Sequence, residues 1–199
     1  MAQTEITVQI LADIKKVCKQ LEKLGYSWKE TFTGTDQYFS TLTPAQVKKA
    51  SYKKLLDSSI IIREFDKAST SAHQVMLVHK KKTIDSKGMV IGEVKSNVAI
   101  DNSNNANKLL TNAGLVNWMT LNQQNHFFTL GEKTIIAGTV KGLEGSFIEI
   151  EEYPSIADLP ETEKFNILCN FVNELGFKTG ENYSCKKIYM LYQQSLNQK

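Results

Sequence analysis

Proline and cysteine are scarce, with three of each among 199 residues. No segment rich in proline, glycine or serine divides the chain, so residues 1–199 read as a single domain long enough for a sizeable core. Cys18, Cys169 and Cys185 are odd in number and form no CxxC pair, which excludes a disulfide framework or a zinc ribbon. Cys18 and Cys169 fall within helical apolar patterns and read as reduced core residues. No apolar run approaches membrane-spanning length, and "MAQTEITVQI" lacks the basic start and apolar core of a secretory signal. The expectation is a cytoplasmic, soluble protein, monomeric or homodimeric, that does not engage a membrane. Charge of one sign is also missing. The 24 basic residues nearly match the 21 acidic ones, and a net charge of +3 does not point to a nucleic-acid polymer as partner. The basic runs "HKKK" (79–82) and "CKKIY" (185–189) are local and read as solvated faces. There is no GxSxG, no Walker-type loop and no HExxH, and His73, His79 and His126 show no metal spacing.

Two periodicities are present. "DIKKVCKQLEKLGY" (13–26), "DNSNNANKLLTNAGL" (101–115) and "ETEKFNILCNFVNELGF" (161–177) each carry a helical apolar stripe that stops at a glycine suited to the left-handed cap. Asp13 caps the first. A further helix starts at "TPAQVKKASYKKLL", where Thr43 and Gln46 form a capping box around Pro44. Between the helices the period falls to two, predicting strands near 4–11, 35–40, 59–65, 73–80, 89–99, 117–128, 133–141 and 145–152. The first two glycine-capped helices each follow a strand and precede an extended segment with an aromatic pair ("DQYF", "NHFF"), as in a duplicated unit. The expected fold is α+β, a closed eight-stranded antiparallel barrel flanked by helices.

The strands carry charge on one face. In "GSFIEIEEY", Ile148 and Ile150 point one way while Glu149 and Glu151, about 7 Å apart, point the other. Glu5, Thr7 and Gln9 oppose Ile6, Val8 and Ile10 in the first strand. Arg63 shares a face with Ile61 and Phe65, and Lys80 ends "VMLVHK". Glu93, Lys95 and Asn97 line one side of "GEVKSNV", as Asn122 and Gln124 do in "LNQQNHFF". In an open sheet these residues make a solvated surface, the default for antiparallel sheets. In a closed one they make a polar tunnel.

The order of these pieces, above all "DQYFST", "VKGLEGSFIEIE" and the helix "ILADIKKVCKQLEKLGY" behind the first strand, resembles the CYTH domain over nearly the whole chain. That family, also called triphosphate tunnel metalloenzymes, includes class IV adenylyl cyclases and thiamine triphosphatases. The resemblance implies an eight-stranded tunnel whose inward charges bind a triphosphate with Mg2+ or Mn2+. It implies Glu5, Glu149 and Glu151 as metal ligands and Arg63 and Lys80 as phosphate-binding residues, and Lys95, on a strand that aligns poorly with the family's, is a third phosphate-binding candidate.

The pattern is incomplete. Thr7 and Gln9 stand where the first strand of the family has a glutamate and a lysine. Ile61 replaces the first arginine of the third strand, Gln124 that of the sixth, and Gly138 the aspartate of the seventh. The charge order around Glu93, Lys95 and Asn97 also differs. A charge-assisted hydrogen bond contributes about 1.5–3 kcal/mol, so three missing cations weaken a triphosphate site substantially. The expected function is binding of a phosphorylated small molecule (a nucleotide, triphosphate or polyphosphate) with divalent metal in the barrel tunnel, with hydrolysis weak or lost. The alternatives are an active metal-dependent phosphohydrolase or cyclase with altered substrate, and a non-catalytic scaffold for a protein partner. The lysines of "QVKKASYKKLLD" read as a solvated face or as a lid over the tunnel mouth.

Overall fold

The computed structural model describes residues 4–84 and 90–197. Residue 89, where the fifth strand was expected to begin, lies outside this range. The eight strands are β1 (Glu5–Ile10), β2 (Ser27–Ser40), β3 (Ser59–Lys67), β4 (His73–Ile84), β5 (Val90–Ala99), β6 (Val116–Leu130), β7 (Lys133–Val140) and β8 (Ser146–Glu151). The helices are α1 (Ile14–Lys23), α2 (Pro44–Lys49), α3 (Tyr52–Asp57), α4 (Ser103–Asn112), α5 (Glu161–Glu174) and α6 (Lys187–Asn197). None of them is long and apolar enough to cross a membrane.

All strands join one antiparallel sheet in the order β1-β8-β7-β6-β2-β3-β4-β5. The duplication read from the sequence explains this order. The β1-α1-β2 and β5-α4-β6 units meet where β2 pairs with β6, and their first strands, β1 and β5, end up at opposite edges.

The sheet curls into a half-barrel and does not close. Among the described residues β1 and β5 share no backbone ladder, which corrects the expectation of a closed tunnel. The reason is on the free edge of β1, whose backbone groups are already taken by residues 178–185. The Thr7 amide donates to the Tyr183 carbonyl (3.1 Å) and the Cys185 amide to the Thr7 carbonyl (2.9 Å). Leu11 donates to Lys178 (2.9 Å) and Gly180 to Gln9 (2.8 Å). With Thr7 and the Gln9 carbonyl taken in this way, the middle of the β1 edge is not available to β5.

Strand alternation sorts the side chains. Ile6, Val8, Ile10, Ile148 and Ile150 are fully buried on the convex face against Val17 and Leu21 of α1 and Leu168 and Val172 of α5. Further along that face, α4 supplies Ala106 and Leu110 to a second cluster with Phe39, Ile62 and Val75. Asp13 caps α1 through a 3.0 Å bond from the Lys16 amide, as the sequence predicts. The helix expected from Thr43 forms with its capping box but breaks at Ala50, and Ser51 caps a second short helix. Lys48, Lys49, Lys53 and Lys54 are exposed, so this lysine-rich stretch is a solvated face.

Candidate functional site

The concave face holds a cavity of about 190 Å³. Glu5, Arg63, Lys80, Lys95, Glu149 and Glu151, the charged residues expected from the sequence, all line it. The parity of each strand that contributes them puts its isoleucines or valines on the other face or in the apolar floor. That floor includes Tyr38, Ile61, Leu121 and Ile188.

Cross-strand register sets the electrostatics. Glu5 lies directly opposite Glu151, and Lys80 directly opposite Lys95. Like charges in such pairs repel, and each pair is relieved by a charge from the other. Lys95 reaches over the open seam to Glu5 (3.1 Å) and Glu151 (2.8 Å). Glu93, 2% exposed, sits 3.0 Å from Lys80 and 3.7 Å from Lys95. The seam that lacks backbone pairing is therefore spanned by ion pairs.

On the far wall Arg63 forks onto Asp36, its partner in the β2–β3 register. Nε donates to Oδ1 at 2.8 Å and Nη2 to Oδ2 at 2.6 Å. Burial alone disfavours the Arg63 charge, but the Asp36 carboxylate overcomes this and raises its pKa. Lys95 behaves in the same way, with burial offset by Glu5 and Glu151. Burial lowers the Lys80 pKa despite Glu5.

Two further cations come from the C-terminal segment. After bonding to β1, the chain turns inward at Cys185 and starts α6 inside the half-barrel, with Ile188 in the apolar floor and Tyr192 packed beside Leu42, Val47 and Leu55. This path delivers Lys186 and Lys187 to the cavity. The Lys187 ammonium donates to Glu149 and, at 2.9 Å, to Gln123. Among the described residues Lys186 has no ion pair, and burial lowers its pKa, opposed by Glu5 and reinforced by Lys80. The reading of "CKKIY" as a solvated face is thus overturned, because only the tertiary path of residues 178–185 brings these lysines inside. Asp36 was missed for a similar reason. A single buried carboxylate in "DQYF" becomes meaningful only once β2 is placed in register against Arg63.

The absent family residues have local explanations. Ile61 faces the cavity as floor, as its parity predicts. Gln9 Nε2 donates to the Glu144 carbonyl at 2.8 Å. At Gly138 an added Cβ would lie 2.0 Å from Asn125 Oδ1, so the Asn125 amide fills the room of a side chain there. The inward residues of β6 are Leu121, Gln123 and Asn125; Gln124 and Asn122 are exposed on the other face. This corrects the expectation that Asn122 and Gln124 share the charged face: the run "NQQN" is polar on both faces, so its alternation does not mark which pair turns inward.

A divalent ion is what the resemblance implies for Glu5, Glu149 and Glu151. The carboxylates have the right chemistry, but Lys95 lies between Glu5 and Glu151 and Lys187 holds Glu149. Among the described residues no three His, Cys, Asp or Glu side chains are grouped to hold a metal. As arranged, these residues do not fit the ion.

No protein-family profile matches the chain, and no curated protein matches it significantly. Solved structures do. The PH1819 protein from Pyrococcus horikoshii OT3 superposes with a TM-score of 0.71 at 20% identity, over 98% of this chain and 99% of that one. A Vibrio parahaemolyticus protein provisionally assigned as an adenylate cyclase gives 0.59 at 13% identity, over 89% and 91%. A chain of the Schizosaccharomyces pombe Mediator head module gives 0.57 at 9% identity, over 88% and 97%. At these identities the likeness is one of fold, and the eight-stranded half-barrel with its helices is a fold this chain shares with all three.

Proposed function

We propose that the half-barrel binds a phosphorylated small molecule, a nucleotide, triphosphate or polyphosphate, in its concave cavity and hydrolyses it weakly or not at all. The observation that carries this reading is Lys186. A half-buried ammonium near Lys80, drawn by Glu5 and Glu149 but in no ion pair among the described residues, costs free energy to bury and gains from an anion that completes it. Arg63 contributes as well, since Asp36 engages only part of its five N–H donors. Gln123 and Asn125 add neutral donors in the same wall.

Weak chemistry follows from the same contacts. Phosphoryl transfer depends on cations clamping the moving oxygens and on groups that orient the attacking water. Here Ile61 is apolar, and Glu5, Glu149 and Glu151 are each committed to an ammonium. The free thiols of Cys18, Cys169 and Cys185 suit a reducing, cytoplasmic setting.

Thermal shift with phosphate, pyrophosphate, tripolyphosphate and ATP tests binding. A ligand at a hundredfold excess over Kd stabilises by about 2.7 kcal/mol. Phosphate release from tripolyphosphate, thiamine triphosphate and ATP is expected below the ordinary enzyme range of about 1–1000 per second. Turnover within that range with Mg2+ or Mn2+ would establish the phosphohydrolase reading, which requires Lys95 and Lys187 to leave their carboxylates. The scaffold reading draws on the same fold occurring in a Mediator head module chain. A stoichiometric protein partner, with no phosphate ligand, would favour it.

A further inference from the structure

We infer that Lys95 is a built-in counterion that replaces a divalent metal at the Glu5–Glu151 pair, so that the cavity takes its phosphorylated ligand as the free anion, not as a metal complex. This rests on the phosphate reading above and specifies the form of the ligand.

The geometry starts from register. Glu5 and Glu151 are direct cross-strand neighbours on β1 and β8, both pointing into the cavity. Two carboxylates so placed need a cation between them, from the protein or from solution. Lys95 supplies it from β5, at 3.1 Å from one and 2.8 Å from the other. An ammonium offers three donors and fixes three acceptors at hydrogen-bond distance. A divalent ion at the same point would need oxygens at about 2.0–2.6 Å and would place its charge against the ammonium. The second carboxylate site is filled in the same manner, with Lys187 on Glu149. Lys95 is itself held from behind by Glu93, which also faces Lys80. The lysine is thus enclosed by carboxylates from both edges of the sheet, and an entering phosphate meets Lys186 and Arg63 with Glu5, Glu151 and Glu149 each already paired to an ammonium.

Tripolyphosphate is the probe. Its thermal shift and calorimetric Kd are measured in EDTA and again in Mg2+, and Mn2+ binding to the apoprotein is followed by electron paramagnetic resonance. The expected result is a Kd in EDTA within about threefold of that in Mg2+, with no stoichiometric Mn2+ site in the wild type. Lys95→Met uncovers Glu5 and Glu151 and is expected to gain an Mn2+ site that Glu151→Gln in the same background removes. Binding at least tenfold tighter with metal, or a stoichiometric wild-type Mn2+ site lost in Glu151→Gln, overturns the inference and leaves the phosphate reading standing. No binding in either buffer overturns both. If Lys95→Met does not fold, the wild-type comparison decides.

Discussion

Asp36 and Arg63 face each other across β2 and β3 and are joined by two hydrogen bonds of 2.8 and 2.6 Å. With Asp36 3% exposed, this pair is structural before it is functional. Breaking such a pair by removing one partner costs about 3–5 kcal/mol, because the other charge stays buried. Arg63→Ala is therefore expected to lower stability by about 3 kcal/mol in urea unfolding. Asp36→Leu combined with Arg63→Met is expected to recover most of that loss. A single Arg63→Ala that changes stability by less than 1 kcal/mol would show the pair to be solvated.

Lys186 separates binding from folding more cleanly. It has no ion pair among the described residues, so Lys186→Met removes no compensating contact and is expected to leave the melting temperature unchanged or higher. The loss of one charge-assisted hydrogen bond, about 1.5–3 kcal/mol, predicts tripolyphosphate affinity weakened by roughly 10- to 150-fold, measured by calorimetry.

The lysines of the cavity should titrate in a fixed order. Burial places Lys80 and Lys186 below the ordinary 10.5, while Glu5 and Glu151 outweigh burial and place Lys95 above it. For Lys80 and Lys186 the unfolded chain binds more protons between the two pKa values, so their contribution to stability rises with pH through that window. For Lys95 the sign is opposite. Its stabilisation is complete below 10.5 and is lost as pH climbs through the folded value. Methylated-lysine NMR is expected to show Lys80 and Lys186 titrating first and Lys95 last, with bound tripolyphosphate moving Lys186 upward.

The alternation of β1 and of Ile148–Glu151 in β8 was legible because apolar and polar residues strictly alternate there, which put Glu5, Glu149 and Glu151 on the inward face, whereas Arg63 follows three consecutive isoleucines and its inward position rested on the family resemblance. The first half of β2, Ser27–Gly34, was missed because "SWKETFTG" has no buried apolar stripe to reveal its period. The β6 register could not be read from "NQQN", which is polar on both faces. Nor could closure be read, since an open and a closed sheet show the same alternation. What decides it is a non-local event, the capture of the β1 edge by residues 178–185. The same event hides Lys186 and Lys187 from any reading of local charge.

That capture has an observable consequence. The Thr7 and Cys185 amides belong to one bonded unit joining β1 to the C-terminal segment. Hydrogen exchange is expected to find both protected and opening with similar free energy. Ile188→Ala, which loosens α6 from the floor at a cost of about 2–4 kcal/mol, should accelerate both together. Fast exchange at Cys185 beside a protected Thr7 would mean that β1 is paired by something else.

We place the proposed anion site on the concave face, completed by Lys186. A crystal structure grown with millimolar tripolyphosphate tests it most directly. Phosphate density is expected within hydrogen-bond distance of the Lys186 ammonium and the Arg63 guanidinium. Density confined to the exposed lysines of α2 and α3, with the cavity's ion pairs undisturbed, would contradict it.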